Sequence, residues 1–164
     1  MTLKSAALRA FAGLCLVALA SCGKPENQVG GFSNDLLGNE IVVEALADPD
    51  IPNVVCHVAY FNRSALDRLR QGNWFENPSN TTVSCQRTGD LDLSRVDLDV
   101  SGEEIFKQRQ SPFFKNTALR RIVDLDHRAI LYVSHARELI EGSAKMDMSS
   151  VPLTAEEVAA ARAR

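Results

Sequence analysis

No part of this chain is strongly basic. Lys and Arg number 18 against 21 Asp and Glu, a formal net charge of −3. The positive residues gather in neither a face nor a tail. Phosphate binding wants clustered Lys and Arg, so nucleic acid is excluded as the expected partner. The body of the chain has no long apolar run, no internal repeat and no low-complexity tract. A length of 164 residues with a 45% hydrophobic fraction is that of one domain with a sizeable core.

Other absences narrow the chemistry. The three His show no HxH or HExxH spacing, so no metal site is expected. His57 adjoins Cys56, but neighbouring strand residues point to opposite faces and cannot form a nucleophile–base dyad. His127 falls in a predicted turn and His135 near the end of the following strand. Asp48 and Asp50 flank a proline, and Asp90, Asp92, Asp97 and Asp99 punctuate GDLDLSRVDLDV. Loop carboxylates can bind calcium, but the DxDxDG pattern is missing and turn chemistry explains Asp beside Pro or Gly equally well. No catalytic residue, cofactor or metal is expected.

What is present begins at the N-terminus. Lys4 and Arg9 precede AFAGLCLVALA, residues 10–20. That run is too short for a bilayer core, which needs about 20 apolar residues. Positive, then apolar, then small is the pattern of a secretory signal. Leu19-Ala20-Ser21-Cys22 resembles a bacterial lipobox. Cys22 is then the expected site of lipid attachment and the first residue after cleavage, and residues 1–21 are a lipoprotein signal peptide. Gly23 rather than Asp follows it, which resembles the signal for the outer rather than the inner membrane. The expected location is the periplasm, with the membrane as partner through the lipid. Loss of Lys4 and Arg9 takes the net charge from −3 to −5. Residues 22–38, polar with Pro and Gly at their start, are expected to form a flexible tether.

Four cysteines occur. Cys15 lies in the discarded segment and Cys22 is spent on lipid. Cys56 and Cys85 remain in an oxidising compartment, where paired thiols usually bridge. Alternation puts Val54, Cys56, Val58 and Tyr60 on one strand face, and Val83 with Cys85 on another. Both sulfurs then face the apolar side, as in a structural disulfide worth about 3–4 kcal/mol. A redox-active pair and free buried thiols are the alternatives, but the CxxC that usually lowers a thiol pKa is absent.

Strands dominate the rest. EIVVEALA, 40–47, is apolar on both faces and predicts a central strand. DPDIP breaks it, and 53–61 predicts a second strand paired antiparallel with the first. Ser64 caps a short helix whose Leu66 and Leu69 are expected to face inward, with Gly72 as its stop. Residues 73–80 hold Trp74 and Phe75 in a loop. Strand is expected over 81–87, and a short strand or irregular edge over 94–100. Residues 103–110 alternate partly, and 116–124 with 129–135 bracket LDHR as a hairpin. Thr154 and Glu157 match a capping box ahead of a short helix or a frayed end, 154–164. The expected fold over 39–153 is mainly β, a small antiparallel sheet curled into a barrel or sandwich.

The blocks IVVEALADPDIPNVVCHVAY, VSCQRTG, EEIFKQRQSPFFKNTALRRIVD and ILYVSHARELIEGSAKMDMSSVPL resemble the CreA family of small exported bacterial proteins, over roughly residues 40–153. The resemblance implies a single exported domain with cysteines at Cys56 and Cys85. It brings no catalytic residue. This chain departs from many members in its lipobox and in FNRSALDRLRQGNWFENPSN between the cysteines. Phe113-Phe114 among Lys107, Arg109 and Lys115 is a candidate partner surface, with a core role for one Phe as the alternative. Residues 141–145 could form a binding loop or an ordinary turn. The sequence supports a membrane-anchored periplasmic binding or interaction module better than the alternative, an enzyme or a thiol-redox factor using Cys56 and Cys85.

Overall fold

Period-two alternation is strongest in VVCHVAYFN, and this strand organises half of the molecule. A computed structural model describes residues 27–72, 81–106, 112–137 and 145–164. The first sheet has the order β1 (Gln28–Ser33), β2 (Glu40–Ala47), β3 (Val54–Asn62), β4 (Thr81–Arg87). The second has the order β5 (Glu103–Glu104), β6 (Thr117–Asp124), β7 (Ala129–Ala136), β8 (Met146–Pro152). All pairings are antiparallel. Helix α1 (Ala65–Gln71) follows β3, a 3-10 turn (Pro112–Lys115) precedes β6, and α2 (Ala155–Arg162) closes the chain.

The sheets do not close into a barrel; they enclose one core. Val42, Leu46, Val54, Cys56 and Val58 come from the first sheet, and Leu119, Ile130, Tyr132 and Val151 from the second. Along one side the sheets meet at their edges. The N–H groups of Val83 and Cys85, on the open edge of β4, donate to Asp147 Oδ2 at 2.7 Å and Ser149 Oγ at 2.8 Å on β8. Edge strands expose unpaired backbone groups, and here two side chains satisfy them.

Several elements differ from the sequence reading. Residues 28–33 lie inside the expected tether, yet they pair with β2, and the Asn27 carbonyl already accepts from Ala45 N–H at 2.9 Å. The alternation after 103 yields only a two-residue strand, while 94–100 take the irregular form, one of the two readings given for them. The hairpin around LDHR, the central placement of β2 and the capping box on α2 are as expected. That helix is neither frayed nor a tail, because Val158 and Ala161 join the core.

Helix α1 is the clearest reversal. Leu66 and Leu69 are exposed, and the residue facing inward is Asp67. Its carboxylate takes Arg63 Nε at 2.6 Å and Gln71 Nε2 at 2.8 Å, and its N–H donates to the Ser64 cap at 3.1 Å. A charge-assisted pair off the solvent fixes the roll of a seven-residue helix better than two leucines do. Gly72 ends the helix in the left-handed conformation at φ 68°.

Candidate functional site

The disulfide forms where alternation places it. Cys56 and Cys85 are directly opposed across β3 and β4, and their sulfurs are bonded at 2.04 Å. Since Cys85 N–H points away to Ser149, the two cysteines occupy a non-hydrogen-bonded pair, the position where cross-strand side chains come closest. Both are buried. His57 lies on the other face of β3 and is only partly covered.

A second polar feature sits at the far end of β2. Asp48 follows the strand and turns back on itself, accepting the N–H groups of Asp50 at 2.9 Å and Ile51 at 3.0 Å. Such Asx geometry is why Asp precedes the proline. The same carboxylate reaches the second sheet. Arg121 Nη1 donates to Asp48 Oδ1 at 2.5 Å, and Tyr132 Oη to Asp48 Oδ2 at 2.7 Å. Arg121 Nη2 donates to Asp50 and to Glu103, each at 2.9 Å. Arg121 and Tyr132 are register partners on the inner face of β6 and β7.

Burial decides how this cluster behaves. The Arg121 side chain is 1% exposed and that of Asp48 0%. Burial works against the guanidinium's charge, but the Asp48 carboxylate and the hydrogen bonds from Asp48 and Asp50 outweigh it, and its pKa is raised. Burial, then the Asp48 charge and hydrogen bond, push the Tyr132 phenol far up, so it stays a donor. The cluster is an ion-paired strut between the sheets, in which Arg121 and Tyr132 keep their protons. Gly102 makes room for it: its φ is 64°, and a Cβ there would collide with the Arg121 carbonyl.

Deeper in the core Glu44 is fully buried on β2. Tyr60 Oη donates to its Oε1 at 2.5 Å. Glu44 Oε2 and Arg121 Nε have no hydrogen-bond partner among the described residues.

The candidate aromatic surface is not a surface. Phe113 and Phe114 are 3% and 0% exposed. Phe114 stacks on Phe106 at 4.9 Å, and Phe113 meets Tyr60 at 5.8 Å. The 3-10 turn drives both rings into the core, so both are structural. Lys107, Arg109 and the Lys115 side chain lie outside the described residues, as do Cys22, Trp74, Phe75 and 141–144.

Three carboxylates of GDLDLSRVDLDV turn back on their own backbone, while Asp90 is exposed. Asp92 accepts from Ser94 N–H at 2.8 Å, Asp97 from Asp99 N–H at 2.9 Å, and Asp99 from Ser101 N–H at 2.8 Å, a chain of Asx turns. Hydrogen bonds from the residues two ahead hold Asp92 and Asp99 below the usual carboxylate range. Among the described residues no three His, Cys, Asp or Glu side chains are placed to hold a metal ion. His127 meets Asp124 at 2.8 Å in the β6–β7 turn, and His135 lies on β7.

Glu157 is a last polar hub. Its carboxylate takes Arg87 through both oxygens at 2.8 and 3.1 Å, Leu91 N–H at 2.7 Å and Thr154 N–H at 2.8 Å. Burial opposes its ionisation, but these donors prevail and its pKa is lowered. It clasps α2 to the end of β4.

The family model described as CreA protein matches residues 29–156. The chain belongs to the CreA family. It is 36% identical over 118 residues to Protein CreA of Escherichia coli strain K12, which covers 70% of this chain and 73% of that protein. Protein CreA of the O6:H1 strain CFT073 and of the O157:H7 strain match to the same extent. No solved structure matches. In this CreA-family chain the quoted blocks carry the struts just described. DPD supplies Asp48 and Asp50, VSCQ supplies Cys85, and LRRIVD with ILYVS supplies Arg121 and Tyr132.

Proposed function

We propose that the protein is an exported, lipid-anchored binding or interaction module, held in the membrane through Cys22 and acting without catalysis. The observation that carries the reading is the bridged pair Cys56–Cys85 inside the core. A disulfide persists in an oxidising compartment, which is where the lipobox would deliver the domain. The outer membrane of a two-membrane bacterium is the address that Gly23 favours, with the domain in the periplasm and a periplasmic protein as its partner.

The buried polar groups support a module rather than an enzyme. Arg121, Asp48 and Tyr132 are committed to one another across the sheets. The cysteines support a structural bridge over a redox role, since they are 0% and 7% exposed and an external thiolate cannot reach them readily.

The test is metabolic labelling with palmitate. Wild-type protein should carry label and sediment with membranes. Cys22→Ala should lose the label and either leave the membrane fraction or remain unprocessed. Unlabelled wild-type protein overturns the anchor. Crosslinking in intact membranes, followed by pull-down, then identifies the periplasmic partner.

A further inference from the structure

The chain has three methionines, Met1, Met146 and Met148. Methionine is ordinarily a filler of irregular core gaps. Here the core is built mainly of valine, leucine, isoleucine and aromatic rings. Met146 and Met148 instead stand in solvent, 71% and 60% exposed. They open β8 in the run MDM, so both project from one face of the strand, about 7 Å apart. Asp147 between them faces the other way and accepts from Val83 N–H.

The neighbouring strand adds a nitrogen donor. His135 on β7 is the register partner of Met146. Ala136 N–H donates to the Lys145 carbonyl at 3.1 Å, so 136 with 145 is a hydrogen-bonded pair. His135 with Met146 is the next pair, of the non-hydrogen-bonded kind. Such pairs bring side chains closest, with Cα atoms about 4.5 Å apart. Met148 is the diagonal neighbour of His135, about 7–8 Å away, a span that long side chains close. Each methionine has three rotatable bonds with which to turn its sulfur toward the ring. The ring is already held for a metal. Its Nδ1 lies 3.1 Å from the Ala136 carbonyl, and a carbonyl only accepts. Nδ1 therefore carries the proton and Nε2 the lone pair. A ligating His is commonly tethered in this way through its other nitrogen. Glu104, whose charge reaches His135, is itself paired with Arg137.

The donor types choose the ion. Two thioethers and an imidazole are uncharged, and thioether sulfur is soft, which selects Cu(I). Zn(II) is held instead by thiolate, imidazole and carboxylate. Thioethers also remain available in an oxidising compartment, where paired thiols bridge as Cys56 and Cys85 do.

We propose that His135, Met146 and Met148 form a site for one Cu(I) ion on the outer face of the second sheet. The site goes beyond the binding-module reading and does not depend on lipid at Cys22. Three donors at an exposed place leave one side of the ion open, so the metal is exchangeable rather than structural.

The test uses the full-length protein in detergent, treated first with N-ethylmaleimide so that no free thiol takes the metal. Under anaerobic ascorbate it competes with bicinchoninate for Cu(I). Wild type should withdraw one equivalent. Met146→Leu, Met148→Leu and His135→Gln should each weaken binding at least about tenfold. Their urea midpoints should stay at the wild-type value, because none of the three side chains fills the core. Ag(I), a diamagnetic ion of like softness, should shift the NMR signals of both methionine methyls and of the His135 ring. Failure to withdraw copper overturns the site, as does full binding by the Met146→Leu/Met148→Leu variant. Zn(II) binding as tight as that of Cu(I), with the same dependence on the three residues, overturns the choice of ion.

Discussion

Replacing Arg121 by Met is the sharpest test of the strut. The substitution keeps most of the volume and removes the charge. Asp48 would then be a carboxylate with 0% side-chain exposure and no cation. It would keep the N–H groups of Asp50 and Ile51 and the Tyr132 hydroxyl. Removing one partner of a buried pair costs about 3–5 kcal/mol. Asp50 and Glu103 are 32% and 46% exposed, so they turn to water and add little. We expect about 4 kcal/mol, close to half the stability of an ordinary domain. With an m-value of about 2 kcal/mol/M the urea midpoint falls by about 2 M. Asp48→Asn keeps an acceptor for the two N–H groups and leaves Arg121 its contacts to Asp50 and Glu103. It should cost about 2–3 kcal/mol, the worth of a hydrogen bond to a charged group. In the double variant no buried charge is stranded, so its cost should fall about 2–3 kcal/mol short of the sum. The assay is urea unfolding followed by circular dichroism, with the disulfide oxidised. Losses that add to within about 0.5 kcal/mol would refute the coupling.

Other outcomes follow from single contacts. Cys56→Ser/Cys85→Ser should lower stability by about 2–5 kcal/mol in urea unfolding, and alkylation of denatured, unreduced protein should find both cysteines blocked. A reduction potential above about −250 mV with an unchanged midpoint would instead favour the redox alternative. Gly102→Ala should cost more than about 1 kcal/mol in the same assay, because the left-handed backbone and the Arg121 carbonyl both reject a Cβ. Glu157 has a depressed pKa in the fold, so its stabilisation is present above its ordinary value of 4.5 and is lost as the pH falls below that. The Glu157→Gln variant should therefore lose less stability than wild type between neutral pH and pH 3; parallel profiles would contradict the clasp.

Alternation carried much of the fold into the sequence. Val54, Cys56, Val58 and Tyr60 share parity in one strand, and Val83 and Cys85 do in another, so the faces and the bridge were legible. Local rules also placed the Thr154–Glu157 box. The polar struts were hidden because parity was applied only to apolar residues. Glu44 has the parity of Val42 and Leu46, Arg121 that of Thr117 and Leu119, and Tyr132 that of Ile130. Extending the same count to polar and charged residues flags all three as buried groups in need of partners, and Asp48 is the partner that two of them find.

Helix α1 shows where such counting stops. Over seven residues, Leu66 and Leu69 compete with Asp67 for the inner side, and no periodicity decides between them. The outcome turns on Arg63, four residues before Asp67, whose salt bridge is nearly out of solvent, with side chains 6% and 3% exposed. A pair that is shielded from water and also shares Gln71 outweighs two leucines that a short helix cannot bury deeply. Choosing polarity for the inner side leaves Leu66 and Leu69 in solvent, 67% and 65% exposed. The local electrostatics that overturn the expected packing of α1 therefore also decide which surface the helix shows to solvent.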